Sequence, residues 1–135
     1  MSLWSDGACD FVNLDLDGND FWILRELLAG TKEKNRPSLI VCEINPVFQR
    51  DEAVVMPYNA AHVWQGDTYY GMSLAACEQL ATEYGYTLAY IHAGINAFLL
   101  RNDHAEAHPE LIRPIEYRVK HDHRPHPSDK TWQTL

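Results

Sequence analysis

The stretch DFVNLDLDGNDFWILRELLAG, residues 10–30, decides the fold. Its first part, Asp10 to Leu16, alternates apolar and polar residues between charged ends and reads as a strand. Its second part, Asn19 to Leu28, carries Phe21, Leu24, Leu27 and Leu28 at helical spacing, and Gly30 ends it. Between the two, DLDGND (Asp15 to Asp20) sets three carboxylates and a glycine into a strand-to-helix turn. Strands joined by helices become parallel neighbours in one sheet.

The rest of the chain extends that pattern. SLIVCEI, Ser38 to Ile44, is continuously apolar at its centre, as expected of a strand buried on both faces. Asn45 to Gly71 shows no period, and a loop that long in a small domain is functional or hides further structure. Met72 to Gly85 reads as a helix capped by Ser73 and closed by Gly85, with Leu74, Cys77, Leu80 and Ala81 on one face. Tyr86 to His92 and Asn96 to Arg101 read as two strands around Ala93-Gly94-Ile95, at hairpin spacing. The expected order is strand, helix, strand, long loop, helix, strand, strand, an α/β unit with a mostly parallel sheet and one antiparallel C-terminal strand. Residues 1–101 would form this unit after a polar lead-in, Met1 to Gly7. Residues 102–135 form a polar arm holding five of the seven histidines and several prolines. Such an arm wraps the domain or reaches a partner.

Composition narrows the function classes. The chain has 135 residues, 46% hydrophobic and 22% charged, and a formal net charge of −8. With no basic stripe, nonspecific nucleic-acid binding is disfavoured. Cys9, Cys42 and Cys77 are scattered and form no CxxC, a set that reads as reduced, buried thiols in a reducing compartment. No apolar run approaches the roughly 20 residues of a membrane span, and no signal peptide is evident, so a cytoplasmic protein is expected.

Four stretches in this order resemble a known family. They are DFVNLDLDGND (Asp10 to Asp20), SLIVCEINP (Ser38 to Pro46), YYGMSLAACEQLATEYGYTL (Tyr69 to Leu88) and GINAFLLRND (Gly94 to Asp103). Together they are similar to the C-terminal half of FkbM-like class I S-adenosylmethionine-dependent methyltransferases. The resemblance implies a truncated Rossmann-like methyltransferase sheet with helices on its faces, holding strands four to seven of that fold. It implies methyl transfer to an oxygen of a sugar or related small-molecule acceptor. Glu43, Asn45, Tyr69, Tyr70 and Ser73 would line the acceptor pocket, and Asp15 and Asp17 would be catalytic. The sequence departs from the family in one respect: no glycine-rich turn follows a strand, and Gly7 has no strand before it. Binding of S-adenosylmethionine is therefore expected of the family and not assigned to particular residues here. The competing expectation is a non-enzymatic binding or oligomerisation module that keeps the fold without the cofactor site.

Read directly, Asp15 and Asp17 fall on one side of the first strand at its carboxyl end, where open α/β sheets bind ligands. Glu43 and Asn45 end the neighbouring strand. Asp15, Asp17 and Glu43 could hold a divalent cation through oxygens, or one of them could act as a general base. Alternatively Asp17, Asn19 or Asp20 only caps the helix. Asp15 to Glu26 also partly matches a calcium-binding EF-hand loop, although its sixth position is Asp20 in place of glycine. His104 and His108, at i and i+4, and the segment HDHRPH have metal-like composition, but solvated tail histidines are more common. His92 would sit on the rim before the hairpin. In the long loop, Tyr58, His62, Trp64, Tyr69 and Tyr70 suit stacking on a sugar or nucleoside, or cover a sheet edge. The first strand would be an open edge, so a homodimer or higher oligomer is expected.

Overall fold

The computed structural model describes residues 8–135. The lead-in and Gly7 lie outside the described residues. The opening stretch forms β1 (Phe11–Leu14) and α1 (Asp20–Ala29), and the apolar run that follows forms β2 (Leu39–Glu43). β1 and β2 are parallel, with Phe11 opposite Leu39 and Leu14 opposite Cys42. The chain continues through β3 (Val54–Val55), α2 (Leu74–Glu83), β4 (Tyr86–His92), β5 (Asn96–Arg101), α3 (Asn102–Ala107) and β6 (Gln133–Thr134). The long loop thus contains a short strand of its own.

The main sheet has the order β1-β2-β5-β4. It is mixed, which corrects the expectation of a mostly parallel sheet. β5 is antiparallel to both β2 and β4, so only the β1–β2 pairing is parallel. Two causes combine. The turn residues Ala93 and Gly94 both take positive φ, 52° and 75°, and reverse the chain in a tight hairpin turn that Ile95 N closes by donating to His92 O. The more apolar arm of that hairpin then takes the interior position beside β2: Ala97 and Leu99 are fully buried, whereas Tyr90 and His92 of β4 stay exposed at the edge.

α1 and α2 touch each other, and their apolar faces share one core with the sheet. Leu24 and Leu28 of α1, Ile40 and Cys42 of β2, Leu74 and Cys77 of α2 and Leu99 of β5 are its centre. Each fully buried leucine or isoleucine contributes roughly 1.5–3 kcal/mol relative to exposure. Cys42 and Cys77 meet here as free thiols, with Sγ atoms 3.6 Å apart. The Ser73 hydroxyl caps α2 by accepting from Ala76 N, and it also accepts from Val54 N at 3.0 Å. No described helix is long and apolar enough to cross a membrane.

The C-terminal arm lies along the domain. Ile115 and Tyr117 pack against the core. Tyr117 donates to Phe48 O, Lys120 N to Pro46 O and Thr68 N to Pro125 O. Farther on, the Trp132 ring sits 4.7 Å from that of Phe48 and 4.9 Å from that of Tyr69. β6 then pairs with β3, and Leu135 N donates to Ala53 O. The arm therefore crosses the carboxyl ends of β1 and β2.

Candidate functional site

The turn after β1 divides its acids between two jobs. Asp20, 1% exposed, accepts from Leu16 N and Gly18 N, both at 2.9 Å. It clamps the turn from inside, each of its oxygens held by a backbone N–H. Asn19 stands at the helix start without a side-chain cap and instead exchanges two hydrogen bonds with Asn59. Asp17 takes φ 52°, a left-handed conformation that aspartate tolerates better than most residues. That reversal brings Asp17 back beside Asp15. The EF-hand reading fails, because α1 begins at Asp20 and takes Glu26 into a helix.

Two further contacts fix this turn. His62 Nε2 lies 3.0 Å from Asp17 O, and the imidazole occupies the space beside Gly18. A Cβ on Gly18 would stand 2.4 Å from His62 Cδ2. Gly71 N donates to Gly18 O at 3.1 Å, tying the turn to the long loop.

One oxygen each from Asp15, Asp17 and Glu43 lies within 4.8 Å of the others. Among the described residues no other group of three histidine, cysteine or acidic side chains comes together in this way. In particular, His104 and His108 do not join a metal-like cluster. His104 lies 3.3 Å from Arg101, and His108 contacts Glu110. Glu43 is the key member. Its Oε2 is buried without a hydrogen-bond donor. Burial, then the charges of Asp15 and Asp17, push its carboxyl up to about 8. At neutral pH Glu43 therefore holds a proton, which it can share with Asp15. Burial and the neighbouring Asp15 also raise Asp17, against the pull of Arg124 and His62.

Asp17 and Glu43 line a cleft of about 630 Å³. Trp64 and Tyr70 line it from the long loop, and Lys120, His121, Asp122, His123 and Arg124 line it from the arm. The Arg124 guanidinium lies 5.4 Å from the Trp64 ring and 5.7 Å from the Tyr70 ring. Its Nε bonds both oxygens of Asp122, at 3.0 and 2.9 Å. Burial, then Glu43, push the Tyr70 phenol up to about 12, so it is a neutral donor.

The other sequence-derived candidates lie behind this surface. Asn45 is fully buried; its amide donates to Thr68 O and Tyr70 O, and its Oδ1 accepts from Val47 N. It anchors the loop that carries Tyr70. Ser73 is the cap of α2. Tyr69 is turned beneath the arm and donates to Thr131 O at 2.8 Å. Of the aromatic set, Tyr58 is 58% exposed and His92 is exposed at the end of β4. Sequence reasoning did not single out Lys120, Asp122 or Arg124. The alternation K-H-D-H-R in an extended segment was the available signal. No family model matches the chain, and no curated protein or solved structure matches it.

Proposed function

We propose that this chain is the acceptor side of a methyltransferase-like O-methylating unit, a small-molecule site in which Asp15, Asp17 and Glu43 hold a divalent cation. The observation that carries the reading is the convergence of these three carboxylates, two of them at the cleft, with the Glu43 oxygen left unsatisfied. Calcium–oxygen and magnesium–oxygen bonds of about 2.0–2.6 Å place ligand oxygens within roughly 5 Å of one another. The observed spread fits such an ion. The methyl-transfer part of the reading rests on the four sequence stretches that resemble the family's C-terminal half.

When bound, the cation would polarise an acceptor hydroxyl and make its proton easier to remove. Trp64 and Tyr70 supply flat faces for a sugar-like ring. S-adenosylmethionine finds no glycine-rich turn among the described residues. The single glycine between β1 and α1, Gly18, has its open side filled by His62.

A specific observation favours the second reading, a binding and oligomerisation module. β1 is an edge strand, and Phe11 on it is 53% exposed. Such an edge can pair with a second copy.

Calorimetric titration with magnesium and manganese chloride tests the metal-dependent site. Wild type should bind with a dissociation constant in the micromolar to low millimolar range, about 10⁻⁶–10⁻³ M, and Glu43→Gln should lose this. Absence of heat in wild type would sink the metal-dependent site. Titration with S-adenosylmethionine then separates the readings: binding supports methyl transfer, and cation binding alone supports the module.

A further inference from the structure

The cleft is charged on two sides that do not touch. Its floor carries Asp17 and Glu43, with Asp15 grouped beside them. Across it run Lys120 and Arg124 of the arm. Among the described residues no ion pair joins the two sides: Arg124 pairs only with Asp122, and Lys120 has no ion pair. The arm cannot simply close the gap, because Lys120 N is bonded to Pro46 O and the chain at Pro125 to Thr68 N. The guanidinium of Arg124 is likewise held by Asp122 and by two aromatic rings. Opposite charges kept apart across an open cleft can both be satisfied by a ligand that spans it.

We infer, building on the cation site proposed above, that the acceptor carries a phosphate or carboxylate group seated between the bound cation and the Lys120–Arg124 side of the cleft. A neutral sugar would satisfy the floor and leave the basic side unused. Without a cation the acids outweigh Lys120 and Arg124, since Asp122 already neutralises one of them. Anion binding therefore depends on the cation. By linkage the anion must tighten the cation by the same factor.

The probes are glucose 6-phosphate, glucuronate and glucose, titrated calorimetrically in magnesium and in EDTA. One or both anionic sugars should bind at least about tenfold tighter in magnesium than in EDTA, and tighter than glucose. The two anionic arms distinguish phosphate from carboxylate. Lys120→Ala should weaken the preferred anion several-fold and leave magnesium affinity unchanged. Because Lys120 is exposed, this variant keeps the fold. Arg124→Gln provides an independent check, with circular dichroism confirming the fold. If magnesium binds but glucose binds as well as the anions, or Lys120→Ala changes nothing, the inference fails and the cation site stands. If magnesium does not bind, both fall.

Discussion

Asp15 and Glu43 stand side by side at the ends of two parallel strands, one position beyond the pairing of Leu14 with Cys42. Neither has a cation among its partners, so their charges are in conflict at neutral pH. The conflict is resolved by a proton on Glu43 or by a metal ion. The two resolutions respond oppositely to pH.

The sign of the pH dependence follows from Glu43. Its carboxyl is raised from 4.5 to about 8 on folding, so the folded chain binds more protons than the unfolded chain between those values. Stability then falls as pH rises through that window. In EDTA, the melting temperature should decline from pH 5 to about pH 8, and Glu43→Gln should flatten the decline. Saturating magnesium should flatten it too in wild type. A melting temperature in EDTA that does not change over this range would contradict the protonated state assigned to Glu43.

Asp20 and Asp15, five residues apart, should behave as opposites. Asp20→Ala leaves one buried and one part-buried N–H without acceptors and should cost about 1–3 kcal/mol in urea unfolding. Asp15→Asn removes a like charge and should leave stability unchanged or raised, while weakening cation binding.

Gly18→Ala should destabilise by about 1–3 kcal/mol, because the new Cβ drives into His62. His62→Ala on the same background should recover part of that loss, since the clash is gone. A double-mutant cycle with no coupling between the two positions would contradict this packing.

Asn45→Ala should cost about 2–4 kcal/mol, through two carbonyls and one N–H left unpaired in the core. It should also release Tyr70 and reduce ligand affinity. Asn45→Asp cannot donate to those carbonyls and should not rescue it.

Phe11→Lys places a charge on the open edge of β1. If that edge pairs two copies, wild type should sediment as a dimer at tens of micromolar, and the variant as a monomer. A monomeric wild type would rule out edge pairing.

Local pattern made much of this fold legible. β4 and β5 have the bounds their alternation gives, and α1 differs by one residue at each end. Glu43 was legible because it ends β2, and Asp15 because it follows β1 directly; β1 stops at Leu14, short of the expected Leu16, so Asp17 reaches them through its left-handed turn and not by alternation along a strand. What escaped was long-range. Two-residue β3 and β6 have no period to read, and they pair 80 positions apart, Val54 with Thr134. Arg124 reaches Trp64 and Tyr70 by tertiary packing, which leaves no local trace. Asn45 and Ser73 carry polar groups that suit a pocket equally well, and only their burial shows that they hold backbone.

The placement of the arm sets the order in which this molecule can be made. The floor of the cleft comes from residues near 15 and 43, and its basic side from residues near 120. The carboxylates are thus synthesised long before the segment that faces them, and the core can form while the arm is still on the ribosome. During that interval the acids are open to solvent. Closing the strap then means joining Val54–Val55 to Gln133–Thr134, a contact of high sequence separation and correspondingly slow formation. The basic side of the cleft is the last part of it to be put in place.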